Sequence, residues 1–313
     1  MFRTLQKLVA IVAIALLIYI ANPLELWEAF KELTWRSIAY LFIVAAALIY
    51  VSAYKWKLFI TSFGKQVSTL RLFGLYLVGY FVNLILPSYV GGDFVRSYYI
   101  GKEIGQHEAL SATILERYTG LVAMVALAFS FMWFAELTTW QIELMVILIA
   151  LGLLVITVVA LSPKTLLALN KLGRLNKITG NMQKIQDGLH LAKTKKGLLA
   201  KTLLLSFFYH LLAVANTIVC AKAIGWDSVP VIDLMVVLPL ILLVGAIPLS
   251  PNGLGIQEGA FFFFLKGIGA TSPQALAVAL LLRAKSYVLA LFGGLAWLIE
   301  KGRADTSPTG PTL

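Results

Sequence analysis

Two groups of polar residues interrupt apolar stretches of the 313-residue sequence and have the composition of an anion-binding site. The first group comprises Gly91, Gly92, Asp93, Arg96, Glu116 and Arg117, and the second comprises Asn252, Gly253, Gly255, Gln257, Glu258, Arg283 and the nearby Lys285. Glycines at the start of a helix let a phosphate approach free backbone N–H groups, and an arginine can donate two hydrogen bonds to the same phosphate. The sequence therefore predicts that Arg117 and Arg283 hold an anionic headgroup.

A purely structural role is the alternative for these residues. Ionisable side chains at membrane depth cost roughly 2.5–3.5 kcal/mol each on insertion scales, so they usually pair with one another or have a function. Asp93 with Arg96, and Glu258 with Arg283, can form ion pairs that only hold their segments in place. Both interpretations stay open for a single residue, whereas the doubled arrangement favours function for Arg117 and Arg283 together.

The overall composition places both groups in a membrane protein. Hydrophobic residues make up 60% of the chain and charged residues 13%, and the mean hydropathy is +0.87. Soluble domains carry about 25% charged residues. Apolar runs of about 20 residues suit helices that cross the hydrocarbon core, where the backbone must satisfy its own hydrogen bonds. The sequence thus excludes a soluble globular domain and predicts a polytopic all-α membrane protein.

Six apolar runs are long enough for full spans: 7–22, 38–56, 113–134, 142–161, 198–222 and 274–299. Two further apolar stretches, 68–105 and 231–268, are interrupted by proline and glycine, which favours re-entrant helical hairpins. The predicted architecture is a single transmembrane domain over 1–300 with a polar cytoplasmic tail over 301–313. A cleaved signal peptide is the alternative for the first run, although Tyr-Ile-Ala-Asn-Pro at its end is a poor cleavage site.

Basic residues orient the predicted spans. A cytoplasmic loop is marked by Lys55, Lys57, Lys65 and Arg71. The segment 163–201 has nine basic residues against one acidic residue and is predicted to be cytoplasmic. One alternating path through all the loops then predicts both termini in the cytoplasm, and we expect a prokaryotic plasma membrane. Its leucines favour an amphipathic helix on anionic inner-leaflet lipids over a solvated linker. Such loops explain the net charge of +11, and we expect no nucleic-acid partner.

An internal repeat relates the two polar groups. The Pro-x-x-x-Gly breaks at 87–91 and 251–255 match at an offset of 164 residues, and Arg117 matches Arg283 at an offset of 166. Three predicted spans separate the hairpins, so the hairpins enter the membrane from opposite sides. Inverted repeats of this kind form transport sites between two opposed halves. Chance similarity is the alternative, since glycine and proline are frequent in membrane helices.

Sequence motifs for enzymatic chemistry are missing. The stretch 253–259 lacks the glycine spacing and preceding strand of a dinucleotide loop, and neither a Walker lysine motif nor a His-Glu-x-x-His motif occurs. The three histidines are scattered, and His210 is predicted to be a hydrogen-bonded core residue. The one cysteine, Cys220, lies in an apolar run. We therefore expect no catalytic residue, no metal and no cofactor, and a transporter in preference to an enzyme.

Several motifs resemble those of one known family. They are Gly-Gly-Asp-Phe-Val-Arg (91–96), Glu-Arg-Tyr-Thr-Gly (116–120), Pro-Asn-Gly-Leu-Gly-Ile-Gln-Glu (251–258) and the Leu-Leu-Arg that ends at Arg283. Together they resemble the transmembrane region of lysylphosphatidylglycerol synthases and the stand-alone proteins like it. The resemblance implies a lipid flippase that moves aminoacylated phosphatidylglycerol between leaflets through two opposed hairpins. Related proteins accompany glycolipid and polyprenyl-linked sugar pathways, so the fold leaves the lipid open.

Two departures from the family bear on function. The soluble aminoacyltransferase domain of the full synthases is absent from the sequence, so we expect no lysyl transfer. Asn252 stands where the family usually has glycine, which leaves the geometry of the second break open. We expect translocation of an anionic lipid, either a phospholipid or a polyprenyl-phosphate-linked one, with a separate lipid or glycan synthase as a partner. A membrane-embedded transferase or an accessory lipid-binding subunit is the alternative.

Overall fold

The computed structural model describes residue 12 and residues 14–85, 91–161, 196–247 and 250–306. Residues 14–20 are helical. The later helices are α1 (Pro23–Lys31), α2 (Trp35–Ser62), α3 (Thr69–Ile85), α4 (Gly91–Ile104), α5 (Gln106–Phe131), α6 (Trp140–Leu161), α7 (Lys196–Ala223), α8 (Val231–Gly245), α9 (Ile256–Gly267) and α10 (Ser272–Thr306). No strand occurs within the described ranges. The all-α class predicted from the composition is therefore confirmed.

Five helical segments are long and apolar enough to cross a membrane: Trp35–Ser62, Gln106–Phe134, Trp140–Val159, Gly197–Ala223 and Ser272–Glu300. They coincide with five of the six predicted runs. Large apolar side chains such as Leu148 and Leu291 are exposed on these helices, as expected for surfaces that face lipid. The protein is an integral membrane protein.

Two predictions fall wholly or partly outside the described residues. The first predicted span, 7–22, is described only at residue 12 and from residue 14 onward. The basic segment 163–201, predicted as an interfacial helix, is described only from Lys196, where α7 begins. Both therefore stay predictions.

Each interrupted stretch forms two short helices that pack against each other. The first stretch contains α3 and α4, and the second contains α8 and α9. The longest of these helices, α3, has 17 residues and the shortest, α9, has 12, whereas a span needs roughly 20. The predicted interruptions are present, and their entry from opposite sides of the membrane stays a prediction.

The second interruption depends on backbone conformations that few residue types adopt. Asn252 has φ +51°, and Gly253 and Gly255 have φ +65° and +81°. Asparagine tolerates this left-handed region better than most residues with a side chain, so Asn252 makes a turn that would suit glycine. Gly255 then precedes α9, and its N–H donates to Glu258 Oε2 at 2.7 Å. The helix start is therefore capped by its own glutamate.

Close packing at glycine lets α10 and α4 approach α3. α10 lies along α3, and a Cβ atom on Gly293 would overlap the carbonyl oxygen of Leu77. A Cβ atom on Gly92 would likewise overlap the carbonyl oxygen of Gly79, so α4 also approaches α3 at a glycine. Small residues commonly permit such close approach between membrane helices. Gly92, which the sequence predicts to admit a phosphate, thus allows two helices to pack.

Arg71 connects three helices on one side of the bundle. Its guanidinium pairs with Glu103 on α4 and, at 3.2 Å, with Glu300 on α10. The sequence analysis used Arg71 only as a marker of a cytoplasmic loop. In the structure α3 already begins at Thr69, so Arg71 is a helical residue that helps hold α4 and α10 against α3.

Candidate functional site

A cavity of about 500 Å³ lies among the helices, and both predicted polar groups line it. Nine of the twelve predicted site residues line it: Gly92, Asp93, Arg96, Glu116, Arg117, Asn252, Gln257, Glu258 and Arg283. The other three, Gly91, Gly253 and Gly255, lie outside its lining. Side chains from α2, α3, α7 and α8 complete the wall. Residues far apart in the sequence thus share one internal surface.

The first polar group forms an alternating chain of basic and acidic side chains. Asp93 is in the first turn of α4 and accepts hydrogen bonds from Arg117 Nε and Nη2, both at 2.6 Å. Arg96, one turn further along α4, donates from Nε to Asp93 at 3.0 Å and from Nη2 to Glu116 at 2.8 Å. Because α4 and α5 pack side by side, Asp93 bridges the two arginines, and Glu116 pairs with Arg96. The predicted Asp93–Arg96 ion pair is confirmed.

Arg96 and Arg117 have different surroundings although they share Asp93. The Arg96 guanidinium lies between two aromatic rings, 4.4 Å from the centroid of Trp56 and 4.0 Å from that of Tyr76. Such cation–π contacts stabilise a desolvated cation. The Arg117 side chain is 56% exposed, and its two hydrogen bonds leave Nη1 without a protein acceptor among the described residues. Arg117 is therefore the member of this chain best placed to contact a ligand.

Lys55 extends the same chain, and its position corrects the sequence analysis. The sequence analysis used Lys55 as a marker of a cytoplasmic loop, but α2 continues to Ser62 and carries Lys55 on its buried face. Lys55 Nζ donates to Ser206 Oγ at 2.8 Å and lies 3.4 Å from Glu116 Oε1. The available signal was that Lys55 falls inside the predicted span 38–56. Its partners were not evident, because they lie on other helices.

In the second polar group, Arg283 joins α10 to the interruption between α8 and α9. Its Nε pairs with Glu258, which confirms the predicted ion pair. Its Nη1 donates to the Asn252 carbonyl oxygen at 2.8 Å. Its Nη2 donates to Gln257 Oε1 at 3.1 Å and to the Gly253 carbonyl oxygen at 3.4 Å. All three guanidinium nitrogens are therefore engaged, and Arg283 holds the second interruption in shape.

The backbone N–H groups at the two short helices are engaged by the protein as well. Gly92 N–H donates to Asn83 Oδ1 at 2.7 Å, and the N–H of Gly255 is bonded to Glu258. The sequence predicted that N–H groups at these helix starts would face a phosphate. These two N–H groups already have protein acceptors. The polar groups that could contact a ligand in the cavity are therefore chiefly side chains.

Several cavity residues were missed by the sequence analysis. Lys55, Tyr76, Asn83 and Asn216 all line the cavity. Lys285, which the sequence placed near the second group, instead donates to Asn216 Oδ1 on α7 at 3.0 Å. His210 Nε2 lies 3.0 Å from the Gly120 carbonyl oxygen, which confirms a hydrogen-bonded histidine, and its ring also lines the cavity.

The cavity lining has an excess of positive charge. Its basic residues are Lys55, Arg96, Arg117, Arg283 and Lys285, and its acidic residues are Asp93, Glu116 and Glu258. Counted with each acid and base in its usual ionisation state at pH 7 and His210 neutral, the lining has five positive and three negative formal charges, a formal excess of two. Uncompensated charge in a low-dielectric interior is costly, and an anionic ligand relieves that cost.

In the described part of the chain no group of three histidine, cysteine or carboxylate side chains could hold a metal ion.

The fold and the cavity together define an integral membrane protein with a charged site between two interrupted helical segments. The chain belongs to the family described as the lysylphosphatidylglycerol synthase transmembrane region, whose model matches residues 7–294. The resemblance noted in its motifs is thereby confirmed.

Similar proteins occur in archaea. A UPF0104 membrane protein of Methanothermobacter thermautotrophicus is 22% identical over 97% of this chain and 94% of its own length. A UPF0104 membrane protein of Methanocaldococcus jannaschii is 26% identical over 84% of each chain. Another from Pyrococcus horikoshii is 26% identical over 84% of this chain and 87% of its own length. No solved structure matches the chain.

Proposed function

We propose that this protein translocates a lipid with an anionic, phosphate-bearing headgroup between the two leaflets of the membrane. The excess of two positive charges in a cavity between two interrupted helical segments carries the proposal. An anion in this cavity would balance charge that the protein itself leaves unbalanced. Interrupted helices around a polar site are a common device of membrane transporters.

The size of the cavity favours a headgroup over a whole lipid. Sites for small molecules enclose about 300–1,000 Å³, and a volume of about 500 Å³ falls within that range. The tails would stay outside, against the apolar surface of the helices. This division lets a charged headgroup cross the membrane within protein while its hydrocarbon tails remain in lipid.

Arg117 is the principal headgroup contact in this proposal. It is more exposed than Arg96 and Arg283, and it already donates two hydrogen bonds to Asp93. A phosphate would compete with Asp93 for the same guanidinium, and Asp93 would keep its hydrogen bond from Arg96. Binding and release would therefore exchange one partner of Arg117 for another without leaving Asp93 unpaired.

The cellular setting belongs to the same proposal. Basic residues, above all those of segment 163–201, support a prokaryotic plasma membrane with both chain termini in the cytoplasm. That segment would contact anionic lipids of the inner leaflet. A separate lipid or glycan synthase would supply or use the translocated lipid. The protein itself would act as a transporter and not as an enzyme.

Leaflet exchange in proteoliposomes tests the proposal. Purified protein is reconstituted with fluorescent phosphatidylglycerol or fluorescent polyprenyl phosphate, and a membrane-impermeant quencher reports how fast inner-leaflet headgroups become accessible. We expect faster exchange than in protein-free liposomes, and loss of most of that gain with Arg117→Gln. Arg36→Gln is the matched control, because Arg36 is exposed and outside the cavity.

The same experiment separates translocation from the alternative functions. Absence of exchange with every probe, in folded protein that still binds lipid, would contradict translocation. That outcome would favour an accessory lipid-binding subunit or a membrane-embedded transferase. Equal rates of leaflet exchange for wild type and Arg117→Gln would instead show that Arg117 does not contact the translocated headgroup.

A further inference from the structure

The two unbalanced positive charges of the cavity belong to two different sets of contacts. The chain formed by Lys55, Glu116, Arg96, Asp93 and Arg117 has three basic and two acidic members, so it retains one positive charge. Arg283 and Glu258 balance each other. Lys285 contributes the second charge. The excess is therefore divided between Lys285 and the chain that ends at Arg117.

Lys285 is the cavity cation without an ion pair among the described residues. Its Nζ donates to Asn216 Oδ1 at 3.0 Å, and no carboxylate in the described part of the chain lies within 4.0 Å of it. An amide oxygen accepts a hydrogen bond but carries no net charge. Ionisable side chains at membrane depth usually pair with one another or serve function. Lys285 thus offers a binding site for an anionic group supplied by a ligand.

We propose that the headgroup carries two or more negative charges, as a phosphate monoester or a diphosphate on a lipid, and that it engages both Arg117 and Lys285. This inference rests on the proposed function. A phosphate monoester carries a charge of about −1.5 to −2 at neutral pH and therefore nearly balances the cavity. A phosphodiester such as phosphatidylglycerol carries a single negative charge and leaves one cation unmatched.

The same balance disfavours the lipid that the family description suggests. The lysyl ester of phosphatidylglycerol carries two ammonium groups against one phosphate. Placing it in the cavity would increase the positive excess, and like charges in a low-dielectric site repel strongly. The structure therefore assigns this chain to phosphate monoester or diphosphate lipids and away from cationic aminoacylated ones.

Equilibrium binding to the full chain in nanodiscs of neutral phosphatidylcholine tests the inference. The probes are farnesyl phosphate, farnesyl diphosphate, phosphatidylglycerol, lysylphosphatidylglycerol and inorganic phosphate. We expect the two farnesyl compounds to bind roughly tenfold or more tightly than phosphatidylglycerol, and lysylphosphatidylglycerol to bind most weakly among the lipids. Inorganic phosphate should bind more weakly than farnesyl phosphate, because it has no tail to place against the apolar surface.

Variants of Lys285 locate the second contact. Lys285→Gln should weaken farnesyl phosphate binding by roughly tenfold while changing phosphatidylglycerol binding by less than about threefold. Lys285→Arg keeps the charge and should retain the preference. Lys266→Gln is the matched control, because Lys266 is exposed on α9 and outside the cavity lining.

Four results would overturn the inference. Wild-type protein could bind lysylphosphatidylglycerol as tightly as farnesyl phosphate, or phosphatidylglycerol as tightly as either farnesyl compound. Lys285→Gln could weaken every lipid equally. Inorganic phosphate could match farnesyl phosphate, which would make the ligand a free anion. If Lys285→Gln failed to fold, the order of lipid affinities of the wild-type protein would still test the inference.

Failure of the inference and failure of the proposed function are distinguishable. The expected order of affinities without leaflet exchange would preserve the dianionic headgroup and contradict translocation. Leaflet exchange of phosphatidylglycerol without any preference for phosphate monoesters would preserve translocation and contradict the dianionic headgroup.

Discussion

Replacing Arg283 by glutamine should destabilise the protein far more than the same change at Arg117, although the predicted repeat pairs the two positions. The Arg283 side chain is 9% exposed and pairs with Glu258, which is 2% exposed. Removing one partner of a buried ion pair costs about 3–5 kcal/mol. The Asn252 and Gly253 carbonyl oxygens lose a donor as well, which adds to that cost.

The loss at Arg117 should be small for two reasons. Its side chain is 56% exposed to the cavity, so its ion pair with Asp93 is less desolvated than the Arg283–Glu258 pair and its loss costs less. Asp93 also retains its hydrogen bond from Arg96 when Arg117 is replaced. The expected difference in unfolding free energy between the two variants is therefore on the order of 2 kcal/mol or more.

Thermal unfolding of the purified protein in detergent measures this difference. At roughly 2 °C or more per kcal/mol, Arg283→Gln should lower Tm by about 6 °C or more, and Arg117→Gln by less than about 3 °C. The double variant Glu258→Gln/Arg283→Gln should recover part of the loss, because it no longer leaves a buried carboxylate unpaired. Arg36→Gln, at an exposed position, should leave Tm unchanged within error.

Two results would refute this reasoning. Equal Tm losses for Arg117→Gln and Arg283→Gln would show that burial of the second ion pair does not govern its contribution. Failure of the double variant to recover any stability would show that the unpaired Glu258 carboxylate is not the source of the loss.

Three further predictions concern helix packing and turns, each measured as a change in Tm. Gly293→Ala should prevent α10 from packing on α3 and cost several kcal/mol, whereas Gly152→Ala, with open space around it, should be neutral or stabilising by about 0.5–1 kcal/mol. Asp233→Ala should cost about 1–3 kcal/mol of stability, because Asp233 Oδ1 accepts hydrogen bonds from the backbone N–H groups of Leu137 and Thr138 at 2.7 and 3.1 Å. Asp227→Ala, at an exposed position, should leave the stability nearly unchanged. Asn252→Gly should leave Tm nearly unchanged and Asn252→Val should lower it, because φ at this position is +51°. In each of the three comparisons, equal changes in Tm for the two variants would contradict the stated physical reason.

Much of the fold follows from local properties of the sequence. Long apolar runs predict the spanning helices, and the Pro-x-x-x-Gly breaks predict where the remaining apolar stretches are interrupted. The sequence analysis also considered the ion pairs Asp93–Arg96 and Glu258–Arg283, because Asp93 and Arg96 are one helical turn apart and Arg283 is the residue that the sequence match pairs with Arg117. These features depend on neighbours along the chain or on the repeat, so they are visible before any tertiary structure exists.

The different environments of Arg117 and Arg283 could not be predicted in this way. The repeat aligns the two arginines, yet Arg117 is half-exposed with two hydrogen bonds and Arg283 is buried with every nitrogen engaged. The turn at Asn252 supplies the carbonyl oxygens that Arg283 binds. The matching segment of the first stretch, residues 86–90, lies outside the described residues. The burial of each arginine and the hydrogen-bond acceptors within its reach depend on how whole helices pack.

By itself, the amino-acid sequence determined the membrane class, the helical elements and the two interruptions, because hydropathy and backbone conformation are local properties. Only the tertiary structure decided that Lys55 on α2 joins Glu116 on α5, that Lys285 lies against an amide, and that the cavity retains two positive charges. The physical reason is that electrostatic compensation acts across space. Charges on separate helices balance or remain unbalanced only once packing sets the distances between them.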